Sequence, residues 1–440
     1  MIRFIKIIPY ILLVSLFTAC SLNSANPTGA GPAKVELKKN GDSYQLFVDG
    51  KEFFIKGAGL EGGSIEELAL HGGNAMRTWR TDNRFRTGQE VLDEAHKHGI
   101  MVCMGIEIAR ERHGFDYNDT AEVRKQFEYA RQEVLKYKDH PALLAWGIGN
   151  ELNLRATNPK VWEAVEDISI MIHEIDPNHP TTTMLAGAHK DVVDVVVASC
   201  PSLDFLSFQL YADIVNLPRY LEESGYDGAY VVSEWGATGH WESARTEWGR
   251  PIEQTSHEKA IAYNQRYQKV IASDPEQCIG SFVFLWGQKQ ERTPTWYGMF
   301  LESGENTESM DVMQYIWTGS WPENRCPALK VYHLNGHSAY ENVQLTPGEP
   351  CEATVIVEDA DNDELKYRWE IIPEVPENMQ SDGGDFEQRP GTVFVKETGK
   401  EQINFTAPEN PGQYRLFVYA FDGHNNAATA NIPFIIQSMN

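Results

Sequence analysis

Two apolar runs in this chain each end on a glutamate. Ala142-Leu143-Leu144-Ala145-Trp146-Gly147-Ile148 has the unbroken apolar character of a strand buried on both faces, and it stops at Gly149-Asn150-Glu151. Tyr230-Val231-Val232-Ser233 repeats the design and stops at Glu234, with Trp235 and Gly236 behind it. A carboxylate at the C-terminal tip of a buried parallel strand lies at the mouth of a barrel, where that architecture keeps its chemistry. Two such carboxylates suit acetal cleavage by double displacement, one donating a proton while the other attacks carbon. With 63 acidic residues in the chain, either glutamate alone reads as an ordinary strand-end cap. The pair, in order within a repeating strand–helix pattern, points to catalysis.

That pattern starts near residue 53 and alternates as a wound α/β fold demands. Strands are expected at residues 53–57, 74–79, 100–106, the run carrying Glu151, then 181–185, 203–210, 229–233 and 279–286. Helices are expected near 88–98, from an N-cap around Thr120 to about 138, from Asn158-Pro159 to Asp176-Pro177, and over 256–272, with 310–317 closing the ring. Eight units in about 270 residues predict a (β/α)8 TIM barrel. Upstream, alternating runs around turns at Asn40-Gly41 and Asp49-Gly50 predict a hairpin cap on the barrel's bottom. Past Pro327 helical periodicity stops. Short alternating runs at 353–357, 365–371, 392–395, 403–405, 414–421 and 428–436 predict a C-terminal immunoglobulin-like β-sandwich. The expected division is a barrel with its hairpin over residues 34–325 and a sandwich over 326–440.

Residues 1–20 have a basic start, a short apolar centre and small residues before a cysteine, as in a secretory signal. Leu16-Phe17-Thr18-Ala19-Cys20 resembles the lipobox of bacterial lipoproteins, which implies lipidation at Cys20, a tether over residues 21–33 and a place on the bacterial outer membrane or cell surface. Removing residues 1–19 takes away Arg3 and Lys6, so the formal charge moves from −25 to −27. Such a charge opposes nucleic acid and anionic polymers and suits a neutral substrate. Cys103, Cys200, Cys278, Cys326 and Cys351 remain, an odd number without zinc or disulfide spacing. The histidines, His240 and His257 among them, lack metal-ligand spacing, and neither metal nor cofactor is expected.

Trp146-Gly147-Ile148-Gly149-Asn150-Glu151 taken with Ser233-Glu234-Trp235-Gly236 resembles glycoside hydrolase clan A, retaining β-glycosidases on (β/α)8 barrels, over about residues 48–317. The resemblance implies that Glu151 is the acid/base and Glu234 the nucleophile, roughly 5–5.5 Å apart. It also implies Arg77 beside the nucleophile, Tyr211 hydrogen-bonded to it, Asn150 on the sugar 2-hydroxyl and Trp286 as a floor beneath the ring. Glu151 must be held protonated, for which a neighbouring carboxylate is the expected cause. Trp235 and Trp296, with Phe115, Tyr117, Trp241, Trp248 and Tyr297, are expected on the catalytic face as a groove for several sugars. Barrel, sandwich and lipobox together are similar to glycoside hydrolase family 158. That implies a lipid-anchored retaining endo-β-1,3-glucanase acting on laminarin-type β-glucan polysaccharide or oligosaccharide. Mannan, mixed-linkage glucan or galactan as substrate, a glucan transglycosylase, and a non-catalytic glycan-binding lipoprotein are the other readings. Asp359-Ala360-Asp361-Asn362-Asp363 resembles a motif of bacterial immunoglobulin-like and polycystic-kidney-disease modules; it reads as a solvated turn more readily than as a calcium loop.

Overall fold

The computed structural model describes residues 31–381 and 386–437; the expected signal segment, Cys20 and residues 21–30 of the expected tether lie outside them. Strands β1 (Val35–Asn40), β2 (Ser43–Val48) and β3 (Lys51–Glu52) form an antiparallel sheet. It lies on the N-terminal ends of the barrel strands, where Val35 N–H donates to Asn178 O (2.9 Å) and Tyr44 N–H to Glu276 O (2.6 Å). Ala33, Val35, Leu46 and Val48 pack there against Met101, Phe205, Val231 and Ile279, sealing the bottom.

Eight parallel strands come next: β4 (Ile55–Gly59), β5 (Ala75–Arg77), β6 (Met101–Ile106), β7 (Leu143–Asn150), β8 (Thr181–Ala186), β9 (Leu206–Gln209), β10 (Tyr230–Gly236) and β11 (Cys278–Phe284). They close in chain order, β11 pairing back onto β4. Every residue of β6, β7, β10 and β11 is buried, as strands covered on both faces must be. The outer ring is α1 (Ile65–Leu70), α2 (Gly88–Lys97), α3 (Thr120–Tyr137), α4 (Lys160–Ile175), α5 (Lys190–Ser199), α6 (Leu217–Ser224), α7 (Ser256–Arg266) and α8 (Glu308–Thr318). On α4, Val161, Val165, Ile168 and Ile172 form one buried stripe. Each such side chain contributes about 1.5–3 kcal/mol of transfer free energy.

Thr87 and Thr255 close capping boxes with Glu90 and Glu258. The cap of α3 is Asp119, whose carboxylate takes the N–H groups of Ala121 and Glu122, so the helix starts at Thr120 instead of being capped by it. Helix α7 stops at Arg266 and continues only as a π-helical turn, Tyr267–Ile271. Two strands are shorter than their apolar runs suggest. β5 ends at Arg77, which leaves Trp79 in a loop, and β11 ends at Phe284, two residues short of Trp286.

The C-terminal strands are β12 (Ala328–Leu334), β13 (Val343–Leu345), β14 (Pro350–Glu358), β15 (Lys366–Pro373), β16 (Phe394–Thr398), β17 (Gln402–Thr406), β18 (Gly412–Phe421) and β19 (Ala427–Ile436). They form a three-stranded sheet, β12-β14-β17, and a five-stranded sheet, β13-β19-β18-β15-β16. Leu329, Val355 and Ile403 of the first pack against Trp369, Leu416 and Ile432 of the second, a sandwich core. β12 and β13 lie outside the runs expected from alternation, and β13 pairs parallel with β19.

The sandwich docks on loops at the barrel's mouth. Buried Glu253 accepts from Lys259 Nζ (2.5 Å), Thr293 Oγ1 (2.6 Å), Thr295 Oγ1 (2.8 Å) and, from the sandwich, Asn431 Nδ2 (2.6 Å). Arg415 of β18 donates to Pro251 O (2.5 Å). The five described cysteines are free and buried. Among the described residues no helix is long and apolar enough to cross a membrane.

Candidate active site

Both glutamates sit at irregular strand pairing. The β7–β8 register shifts between Gly147 and Asn150, and Gly149 adopts φ +73°, a left-handed conformation open to glycine. The β10–β9 register shifts between Val232 and Glu234. Such bulges re-aim side chains, and here they do so at the C-terminal ends of the fourth and seventh barrel strands.

Glu234 is buried, and four donors converge on its carboxylate. Oε1 accepts from Arg77 Nη1 (3.1 Å), Trp79 Nε1 (2.9 Å) and Gln209 Nε2 (3.0 Å), while Oε2 accepts from Tyr211 OH (2.9 Å). Four partners, the Arg77 guanidinium among them, make this a site shaped for an acceptor at both oxygens. Burial and the charge of Glu234 push the Tyr211 phenol well above its ordinary value, so it stays a donor. Asn150 is locked by its oxygen, which accepts from Arg77 Nη2 (2.7 Å) and Gln209 Nε2 (2.7 Å). Its Nδ2 is left as the group able to donate to a bound molecule.

Glu151 is different. It is half-buried, and its pKa is raised from 4.5 to about 7, first by loss of solvation and then by the charge of Glu234; Arg112, Arg110 and Arg77 act in the opposite direction. Burial therefore outranks the second carboxylate as cause. The residue holds φ +52°, left-handed for a side chain with a Cβ, at a cost of about 1–3 kcal/mol. The loop after β6 secures it. Arg110 Nε donates to Asn150 O (3.0 Å) and Arg112 Nη1 to Glu151 O (2.6 Å), while Arg112 Nη2 reaches Glu151 Oε2 (3.4 Å). Between the two arginines, Glu111 accepts from the N–H groups of Thr157 (2.7 Å) and Asn158 (2.9 Å), fastening the far side of the Glu151 loop.

The structure thus brings together Glu151, Glu234, Arg77, Asn150 and Tyr211. It does not bring Trp235, Trp286 or Trp296 to the open face, and those three expectations are corrected. Trp235 is fully buried against Tyr263 and Tyr267; side chains alternate along a strand, so the neighbour of an inward Glu234 points outward. Trp286 is fully buried, donating to Ser64 O (3.1 Å) and packing on Trp317 of α8. Trp296 is 1% exposed, donates to Thr238 O (2.8 Å) and lies beside Arg415 of the sandwich. The rings around Glu234 are instead Trp79, Tyr211 and Phe284, with Phe284 edge-on to Trp79 (5.9 Å), Tyr211 (5.8 Å) and Tyr297 (5.6 Å).

Trp79, Gln209, Arg110 and Arg112 escape the sequence reading. Gln209 alone leaves a signal, a polar residue closing an apolar strand. The oxygens of Asp359, Asp361 and Asp363 lie within 4.8 Å of one another. They are occupied with their own turn and with the barrel: Asp359 Oδ1 accepts the N–H groups of Asp361 and Asp363, Asp361 takes Arg325 N–H, and Asp363 takes Asn324 Nδ2.

No family model matches the chain. A protein of Aspergillus terreus named "Probable mannan endo-1,4-beta-mannosidase A-2" is 23% identical over 181 residues, 34% of this chain and 41% of that protein. The "Beta-glucuronidase" of Sus scrofa is 22% identical over 246 residues, 51% of this chain and 35% of that protein. The chain therefore spans less than half the length of either. Among solved structures, a Bifidobacterium dentium beta-glucuronidase complexed with coumarin-3-O-glucuronide superposes with a TM-score of 0.50 at 14% identity, covering 65% of this chain and 49% of that one. At that identity the likeness is one of fold.

Proposed function

We propose that this chain is a retaining β-glycosidase working by double displacement. The observation that carries the reading is the contrast between the two glutamates: Glu234 gripped as an anion by four donors, Glu151 kept protonated up to about pH 7. Glu151 donates its proton to the glycosidic oxygen while a Glu234 oxygen attacks the anomeric carbon from the opposite face, forming a glycosyl–enzyme ester. Glu151, now a carboxylate, takes a proton from water, which displaces Glu234 with net retention. Asn150 Nδ2 supplies a hydrogen bond to the sugar that strengthens as the oxocarbenium ion develops. The two relatives named above bear the names of enzymes acting on β-linked sugars, which supports the reaction class.

At finer grain we propose an endo-acting enzyme on a neutral β-glucan, with β-1,3-glucan of the laminarin type as first choice; a net charge of −25 supports neutrality. Mannan, mixed-linkage glucan and galactan are the competing substrates. We also propose a lipid anchor at Cys20, tested by whether Cys20→Ser moves the protein from the membrane to the soluble fraction. For the enzyme, the test is turnover of laminarin, mannan, mixed-linkage glucan and galactan, with NMR detection of the first-formed anomer. A β-anomer, absent with Glu234→Gln, is expected. An α-anomer formed first, or full turnover by Glu234→Gln, overturns the proposal.

A further inference from the structure

Tyr211 has a second neighbour that the reaction does not use. Its hydroxyl donates to Glu234, while its ring meets Trp241 at 5.3 Å and 86°. Trp241 is 54% exposed, yet it is held: His240 adds a second perpendicular ring contact at 4.9 Å. It borders a shallow, open cleft of about 490 Å³ lined by Ala212, Asp213, Asn216 and Glu242, with room for a sugar unit. A single exposed tryptophan is ordinary on a protein surface. One fixed at the wall of a cleft, one ring away from the candidate nucleophile, is not.

The cleft floor is rigid. Glu242 accepts from the N–H groups of Ala212 (2.9 Å), Asp213 (2.9 Å) and Gly239 (2.8 Å), joining the loop after β9 to the loop after β10. Asp213 accepts from Tyr220 OH (2.9 Å) and Asn216 Nδ2 (2.7 Å). Two carboxylates thus line the cleft against a nearby cation, the Arg266 guanidinium that acts on Glu242 from the buried side, so the wall keeps a net negative charge and spare lone pairs. Such a wall accepts hydrogen bonds from sugar hydroxyls and repels a uronate or sulfate.

We infer that this cleft is a subsite for a neutral sugar unit next to the one being cleaved, with Trp241 as its stacking platform. The inference rests on the glycosidase reading and assigns Trp241 and the wall of Asp213 and Glu242 to the second unit of its uncharged chain. Calorimetry on the Glu234→Gln protein tests it, with β-1,3-gluco- and β-1,4-manno-oligosaccharides from dimer to hexamer as probes and sulfated forms of the same lengths as controls. Affinity should rise with length until the cleft is filled. Adding Trp241→Ala should lower the affinity of those longer chains by about tenfold and that of the shortest far less, and Trp241→Tyr should restore most of it. Sulfated chains should bind more weakly than neutral ones. No binding by any probe, equal affinity with Trp241→Ala, or sulfated chains bound as well as neutral ones overturns the subsite. Normal binding on the same panel without turnover by the unsubstituted protein counts against the glycosidase reading and leaves the subsite standing.

Discussion

Arg112 meets Glu151 twice, donating to its carbonyl oxygen at 2.6 Å and reaching its Oε2 at 3.4 Å. One guanidinium therefore holds the left-handed backbone of the proposed acid/base and biases its charge. Among the groups that lower the Glu151 pKa, Arg112 is the largest. Arg112→Ala should move the alkaline limb of the kcat/KM profile to higher pH, because a cation that favoured the carboxylate is gone. It should also cut kcat by about a hundredfold through misplacement of the acid. A profile that stays put while only the melting temperature falls would assign Arg112 a purely structural role.

Glu151→Gln should abolish the fall in kcat/KM above about pH 7 and slow substrates with poor leaving groups far more than activated aryl glycosides. It also has a stability signature. A carboxyl whose folded pKa is raised from 4.5 to about 7 contributes stability that is complete below the lower value and lost as pH rises through the upper one. Glutamine cannot ionise, so relative to the native chain the variant should gain on the order of 1–3 kcal/mol between pH 5 and pH 8. Paired thermal melts at those two pH values measure the difference; an equal shift at both would place the Glu151 pKa near its ordinary value.

Gln209 joins Asn150 to the candidate nucleophile, with one Nε2 hydrogen-bonded to both Asn150 Oδ1 and Glu234 Oε1. Gln209→Leu removes a donor from each at near-constant volume, for about 1–3 kcal/mol of transition-state stabilisation, or tenfold to a hundredfold in kcat. Gln209→Glu should be worse, since it sets a second carboxylate against Glu234. Steady-state kinetics on one aryl glycoside rank the two.

Asn431 donates a hydrogen bond from the sandwich to the buried Glu253 cluster, beside Arg415 of the same sheet. Burial opposes the Glu253 charge, and Lys259 with the surrounding hydroxyls and Arg415 more than reverses that, holding the carboxyl below its ordinary value. Asn431→Ala leaves a buried anion short of one donor and should cost about 1–3 kcal/mol. Calorimetry should show barrel and sandwich melting in one transition that moves down together; two separated transitions would mean that the interface does not couple them.

Much of the barrel and its central pair is legible in the amino-acid sequence, and the exceptions have physical causes. Strands buried on both faces announce themselves as unbroken apolar runs, which is why β7 and β10 stand out, and with them Glu151 and Glu234. An aromatic is aimed by the alternation of faces only while its strand lasts, so misplacing a strand end by two residues misplaces the ring. Extending the eighth barrel strand to Trp286 makes a core residue look like a sugar platform, and extending the second to Trp79 hides a donor to Glu234. Arg110 and Arg112 sit in a loop with no period to read, and their targets are backbone carbonyls, which leave no mark in sequence. β12 and β13 escape notice because a strand needs partners distant in the chain as much as an alternating pattern.

The hairpin that plugs the barrel's lower end also sets where the described chain enters the fold. Residues entering at Ala33 arrive on the side away from both glutamates. A leash fastened at Cys20, as proposed, would suspend the protein from its closed end, with the open one turned to the surroundings. Long polymers could then be gripped mid-chain without first threading between the enzyme and its membrane.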